Sequence, residues 1–444
     1  MKTLILEGSH PIDGQAARIQ ETLENELKAR GWEFETIRLR DMKIGNCAGD
    51  FFCWVRTPGM CNTDDDNRLI AAKIINADLL VYLTPVIFGG YSSVLKKAVD
   101  HQIQNIAPFF SQINGETHHQ PRYAKYPDLL VIGWVDTPDP KAEAIFRHLV
   151  YRNTINFYAK NSLCGLVTAS QSDSELLAEV ERWLDAIAQG TKAPQPVLPE
   201  ICFSSAVSQP IRHALLLVGS PRTRNSTSNA LGAYLLEQLA ARGVETNTIN
   251  VYTSLSSPEK MRLLLEKLDS SDLAVLAFPL YVDNLPAPVI TLLERIAAHR
   301  LSHPMQTRFA AIVNCGFPEP DHNATAVAIC NQFACQSGFN WAGSLALGAG
   351  EGLVHGVPLN QLDGRAIPLK KALELAADAL SQGQPIPQAA QDLLVKPFVP
   401  AWMYRMIGGF GWKRQAKKYG AEKFLNRRTY VDEKILSQPH KTRS

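Results

Sequence analysis

The stretch LLLVGSPRTRNSTSNALGAYLLEQL, Leu215–Leu239, decides the fold because three kinds of local pattern follow one another within it. Leu215 to Val218 form a continuous apolar run of the kind that is buried on both faces of a parallel sheet. Gly219, Ser220 and Pro221 then turn the chain, and from Ser226 the apolar spacing becomes helical. Ser220, Asn225, Ser226, Thr227 and Ser228 set hydroxyl, amide and backbone donors at that helix N-terminus, and Arg222 or Arg224 adds positive charge. Unpaired N–H groups and the helix dipole favour an anion at such a place. A helix cap needs one of these residues. Five of them with two arginines point to a phosphate monoester, while the absence of G-x-G-x-x-G and P-loop patterns argues against a dinucleotide or ATP.

Outward from this loop, ETNTINVY, LAVLAFPLYV, FAAIVNCGF and NWAGSLALG read as four further strands, with helical stretches between them and IPLKKALELAADALSQG after the last. The same alternation fills the N-terminal half, beginning with the strand KTLILEGS and the helix GQAARIQETLENELKARG. Strict β-α alternation predicts an α/β fold of two flavodoxin-like, doubly wound, five-stranded parallel sheets in tandem, with the ligand crevice at the carboxyl ends of the strands. The expected units are 1–190, a Pro- and Ser-rich linker 191–210, 211–385, and a basic, aromatic C-terminal extension 386–444. Such a tandem can face its copies as an internal pseudo-dimer, with a homodimer of the whole chain a further option.

The chain has 444 residues, a formal charge of +2 and eight cysteines. That charge gives no overall reason to expect nucleic acid. The apolar runs fall short of the roughly 20 residues that cross a bilayer, and the N-terminus lacks a signal-peptide pattern, so the expectation is a soluble, cytoplasmic protein. Cysteines this sparse do not build a disulfide scaffold.

GSPRTRNSTSNALG, together with TPVIFGGYSSVLKKAVDH after the third strand of the first copy, resembles the two flavin mononucleotide loops of the NAD(P)H-dependent FMN reductase and multimeric flavodoxin family. The resemblance covers roughly residues 1–190 and 211–385. It implies that FMN is the cofactor and NAD(P)H the co-substrate, with the first loop on the phosphate and the second along the isoalloxazine ring. The phosphate contacts would be Ser220, Arg222, Asn225, Ser226, Thr227 and Ser228. Ring contacts would come from Pro279, Leu280, Tyr281, Val282 and Asp283, with Cys315 and Gly316 beside them. In the first copy the ring loop matches the family through Pro85, Val86, Phe88 and Gly89, but the phosphate loop GSHPIDGQAAR from Gly8 has no hydroxyl after Ser9, and Asp13 repels phosphate. The simplest expectation puts FMN on the second copy and makes the first its built-in partner.

Gly8 and Pro85 are 77 residues apart, whereas Gly219 and Pro279 are 60 apart. NCAGDFFCWVRTPGMCNTDD accounts for the excess, and it resembles the cysteine loop of iron-sulfur flavoproteins. Cys47, Cys53 and Cys61 fall short of the four thiolates a four-iron cluster usually takes, so Phe51, Phe52 and Trp54 are expected to anchor a loop over the site or the interface, with an iron-sulfur cluster, or iron or zinc on the three thiolates and Asp50, as the alternative. Asp64–Asp66 read as a helix start, Cys330 and Cys335 as core thiols, and His118–His119 as part of a solvated polar loop. His322 and His355 fall near the strand ends of the second copy. From Lys396 onward there are twelve Lys or Arg against three acids; this tail is expected to dock on the protein, with contact to a membrane surface as the alternative. The reading is a flavin-dependent oxidoreductase passing hydride from NAD(P)H through FMN to a small acceptor, without a named catalytic acid or base. The rivals are an electron-transfer flavoprotein fed by a protein partner and a module that has lost flavin binding.

Overall fold

The computed structural model describes residues 1–431 apart from Ile12, Ala193 and residues 204–208, and the side chain of Arg224 lies outside the described atoms. The first half runs β1 (Lys2–Glu7), α1 (Gly14–Ala29), β2 (Glu33–Arg38), α2 (Phe52–Val55), α3 (Asn67–Ile75), β3 (Leu79–Pro85), α4 (Ser93–Asp100), β4 (Ile106–Ile113), β5 (Glu116–Pro121), β6 (Asp128–Val135), α5 (Pro140–Asn156), β7 (Ser162–Thr168) and α6 (Asp173–Ala188). The second runs β8 (His213–Val218), α7 (Thr227–Ala240), β9 (Glu245–Asn250), α8 (Val251–Ser254), α9 (Pro258–Asp269), β10 (Leu273–Pro279), α10 (Ala287–Ser302), β11 (Arg308–Asn314), α11 (Ala324–Gln336), β12 (Asn340–Leu347), α12 (Gly350–Leu353) and α13 (Ile367–Ser381). Two more helices follow, α14 (Gln388–Val395) and α15 (Ala401–Lys417).

The sheets are all parallel and share one topology, β2-β1-β3-β6-β7 and β9-β8-β10-β11-β12. This is the flavodoxin order, in which the chain reverses direction beside the first strand and opens a crevice there. The apolar runs behave as expected: Leu79 to Leu83 and Leu273 to Phe278 are wholly buried because helices cover both faces. Ala390 and Leu394 of α14 belong to the core of the second half.

The halves pack through α4 on α10 and α5 on α11, and one buried cluster includes Leu95, Val99 and Phe146 from the first with Leu293, Ile296 and Phe333 from the second. The antiparallel hairpin β4–β5 has no counterpart in the second half and was not read from the sequence. Its turn is Asn114-Gly115, both at positive φ, and Asn-Gly is a strong two-residue hairpin signal. No helix among the described residues is long and apolar enough to cross a membrane.

Candidate functional site

At the carboxyl end of β8, Ser226 caps α7. Its hydroxyl accepts from the Asn229 amide at 3.1 Å and donates to the Thr223 carbonyl, leaving the first-turn amides of Thr227 and Ser228 turned outward. Ser220, Ser226, Thr227 and Ser228 are buried, whereas Arg222 and Asn225 are exposed. Ser228 is fixed by the Asn314 side-chain amide at 2.9 Å. An oxyanion already occupies this donor set. The carboxylate of Glu351, on α12, meets the Arg222 guanidinium at 2.7 Å and the Thr227 hydroxyl at 3.2 Å, and His355 lies 3.2 Å from the same carboxylate.

The first half has no such opening. Asp13 caps α1 through the Ala16 amide, and its other oxygen accepts from the Trp134 indole. Arg40 is spent on the buried Glu7 and on Ser9. The carboxylate at this helix end is the cap itself, whereas α7 is capped by Ser226 and Glu351 reaches its end from α12.

The ring loops, unlike in sequence, share one backbone. Ile87 and Gly90 exchange both main-chain hydrogen bonds around Phe88 and Gly89, as Tyr281 and Asn284 do around Val282 and Asp283. All four central residues have positive φ, 54°, 82°, 51° and 54°. For β-branched Val282 this is costly, and such backbone persists where the surroundings hold it. The surroundings here are residues of the first half. Lys96 donates to the Tyr281 carbonyl at 2.9 Å, Asn153 to the Val282 carbonyl at 3.3 Å, and Arg152 and Asn156 hold the Asp283 carboxylate. Pro279 and Leu280 lead into the turn, half-buried, with Cys315 and Gly316 beginning the next loop. The first ring loop faces inward instead: Phe88 packs edge-on against Phe333 at 5.1 Å, and a side chain at Gly89 would strike Ile145. Pro85 and Val86 lead into that turn, half-buried.

Two segments roof the second copy's loops. The cysteine segment brings Gly49, at φ 61°, so close to the Tyr281 hydroxyl that any side chain at Gly49 would collide with it, and Phe51 lies 6.0 Å from the Arg222 guanidinium. Phe51 stacks on Trp54, and both meet Trp412 of α15. Tyr404, also on α15, donates to the Gly316 carbonyl. The expected aromatic anchoring of the cysteine segment is thus present. Cys47, Cys53 and Cys61 line a cavity of about 30 Å³ with Asp50 and His101. Burial pushes Cys47 up to about 12. Burial would also raise Cys61, but the His101 imidazole 3.6 Å away outweighs it and pulls that thiol below its usual value. Asp65 and Asp66 precede α3 and hold the amides of Gly45 and Lys43.

Beside the turn lies a charged cluster that the sequence did not disclose. His118 is buried on β5 rather than solvated, because the hairpin lays it against Phe317 and His322. Glu116, His118 and His322 come close enough together to suggest a metal. Arg152 takes that place, donating to Glu116 at 2.6 Å and to His322 Nδ1 at 2.8 Å. The lone pair that a neutral His322 would offer a metal is spent on the guanidinium. Partial burial would raise Glu116, but hydrogen bonds from His118 and Arg152 hold it down at about 2. His355 is exposed, and Cys330 is buried while Cys335 is exposed. Asn114-Gly115 was the signal that could have placed His118; nothing local marked Arg152.

Tandem flavodoxin sheets, with a Ser-capped helix N-terminus rich in donors at the end of β8, are the architecture of an FMN-type flavoprotein. Residues 1–113 and 213–332, together just over half of the chain, match the NADPH-dependent FMN reductase family, and the chain belongs to it. By its description, the family is one of NADPH-dependent reductases of FMN. Among curated proteins, an iron-sulfur flavoprotein of Archaeoglobus fulgidus is 33% identical over 100 residues, 22% of this chain and 48% of the relative. One of Methanocaldococcus jannaschii is 32% identical over 100 residues, 22% and 51%. The chain spans about half the length of these relatives. A solved NAD(P)H:quinone oxidoreductase from Methanothermobacter marburgensis is similar at 16% identity and TM-score 0.33, over 42% of this chain and 94% of that one, too low to carry an argument.

Proposed function

We propose that the second half binds one FMN and that the chain is an NAD(P)H-dependent reductase of a small acceptor. The observation that supports this most is the donor set at the α7 N-terminus, which already holds an oxyanion, the Glu351 carboxylate, on Arg222 and Thr227. A phosphate monoester that displaces it meets the same guanidinium and hydroxyl, with the amides of Thr227 and Ser228 in addition. The turn Tyr281–Asn284 presents main-chain groups beside this site, held rigid from the first half by Lys96, Asn153 and Arg152. FMN held there would supply the hydride chemistry, while the protein's own residues bind it, orient it and exclude water. Phe51, Tyr404 and Trp412 close the site against solvent. Cys47, Cys53 and Cys61 do not make the four thiolates of a usual cluster.

Titration of the purified chain with FMN, followed by its absorption band, tests the reading. One equivalent should bind, NAD(P)H should bleach it, and Arg222→Glu with Ser226→Asp should abolish binding. Absence of a flavin band at saturating FMN, or unchanged binding by the variant, overturns the assignment. The internal Glu351 contact favours one alternative, a module that no longer takes flavin, and a colourless protein would select it.

A further inference from the structure

Helix α15 has two apolar faces, and the described residues of the protein cover only one. Tyr404, Gly408, Trp412 and Ala416, spaced four apart, form the inner face: Tyr404 and Gly408 lie on Phe110, Trp412 lies on Phe51 and Trp54, and Ala416 is fully buried. The outer face carries Trp402, Met406, Ile407 and Phe410, which are 63%, 51%, 55% and 68% exposed. At 100° per residue these four, with Lys413, Arg414 and Lys417, fall within an arc of about 140°. A helix that is apolar all round is ordinarily buried, and contiguous exposed apolar surface marks a docking site. Lys418, Lys423, Arg427 and Arg428 extend the exposed cations beyond the helix, where Glu422 is the one acid among the described residues.

We propose that this outer face is a membrane-surface anchor, docking the protein on an anionic lipid bilayer with Trp402, Met406, Ile407 and Phe410 in the headgroup boundary and the cations on lipid phosphates. Charge selects this occupant. In a two-fold dimer the patch would meet a second copy of itself and enclose six cations, Lys413, Arg414 and Lys417 of each chain, with no acid on either patch to pair them, whereas a bilayer rich in acidic lipid supplies the opposite charge along the whole arc and takes tryptophan and phenylalanine at the interface. The helix would lie flat, since it is too short and too charged to span. The proposal does not depend on flavin: the outer face touches none of the loops assigned to FMN, although Tyr404 on the inner face binds the loop at Gly316.

The test is flotation of the full chain with vesicles of 3:1 phosphatidylcholine and phosphatidylglycerol, against pure phosphatidylcholine, at low and high salt. The expected result is binding to the anionic vesicles that weakens with salt, and that falls about tenfold or more both in Trp402→Ser with Phe410→Ser and in Lys413→Glu with Lys417→Glu. These residues face solvent, so the variants should keep the wild-type melting temperature. Failure to float with anionic vesicles overturns the proposal, and so does binding that neither variant weakens. Concentration-dependent dimerisation lost in the same variants, without vesicle binding, overturns it in favour of a second copy.

Discussion

Glu351 is the residue on which occupancy of the site turns. Its carboxylate shares Arg222 and Thr227 with any incoming phosphate, so binding must exchange one oxyanion for another. Charge-assisted hydrogen bonds of this kind contribute about 1.5–3 kcal/mol each. Glu351→Gln removes the charge that competes and should tighten FMN by at least about tenfold, read by quenching of flavin fluorescence. Riboflavin, which lacks the phosphate, should bind the wild type and the variant alike. Equal FMN affinity in both would show that the carboxylate is not a competitor. The donors at Ser220 to Ser228 were legible in sequence because a strand, a turn and a helix start sit within twenty-five residues. Glu351 was not, since a contact across 129 positions of chain leaves no local pattern.

Among the elements, the Tyr281–Asn284 turn shows how little of its geometry its residue types revealed. Val282 and Asp283 look unsuited to positive φ, yet their backbone proves equivalent to that of Phe88-Gly89. What holds it is tertiary, and Arg152 is the central piece, buried with contacts to Asp283, Glu116 and His322. Arg152→Met leaves the Asp283 carboxylate buried opposite Asn156 alone, and removing one partner of a buried pair costs about 3–5 kcal/mol. The variant should melt well below the wild type and bind FMN more weakly, because the freed turn can relax out of its left-handed backbone. A melting temperature within a degree or two of the wild type would mean that the turn is held by Lys96 and Asn153 without it. The hairpin β4–β5 makes a second case: its Asn-Gly turn was readable, and reading it would have moved His118 from a solvated loop into the inter-half interface.

For the whole molecule, the repeat was legible because both copies alternate apolar strands with helices, and the pairing of the copies was only an inference from it. The structure gives that pairing physical content. Lys96 and Asp100 form an ion pair with side chains 0% and 1% exposed, and each also reaches the second half, Lys96 at the Tyr281 carbonyl and Asp100 at the Ala287 amide. Burial disfavours the charged form of both, so neither is stable without its partner, and both lie beside the apolar cluster that crosses between the halves. Two domains joined only by a linker would melt independently; two that share a core and a buried ion pair should melt as one. Calorimetry of the full chain should therefore give a single transition, and Lys96→Met, which strands Asp100 in the interface at a cost of about 3–5 kcal/mol, should lower that transition as a unit. Two resolved peaks in the wild type would show that the halves are thermodynamically separate. A variant in which only the second half melted early would place the pair in that half's stability and not in the coupling, and would leave the ring turn dependent on a contact from a half that does not itself need it in order to fold.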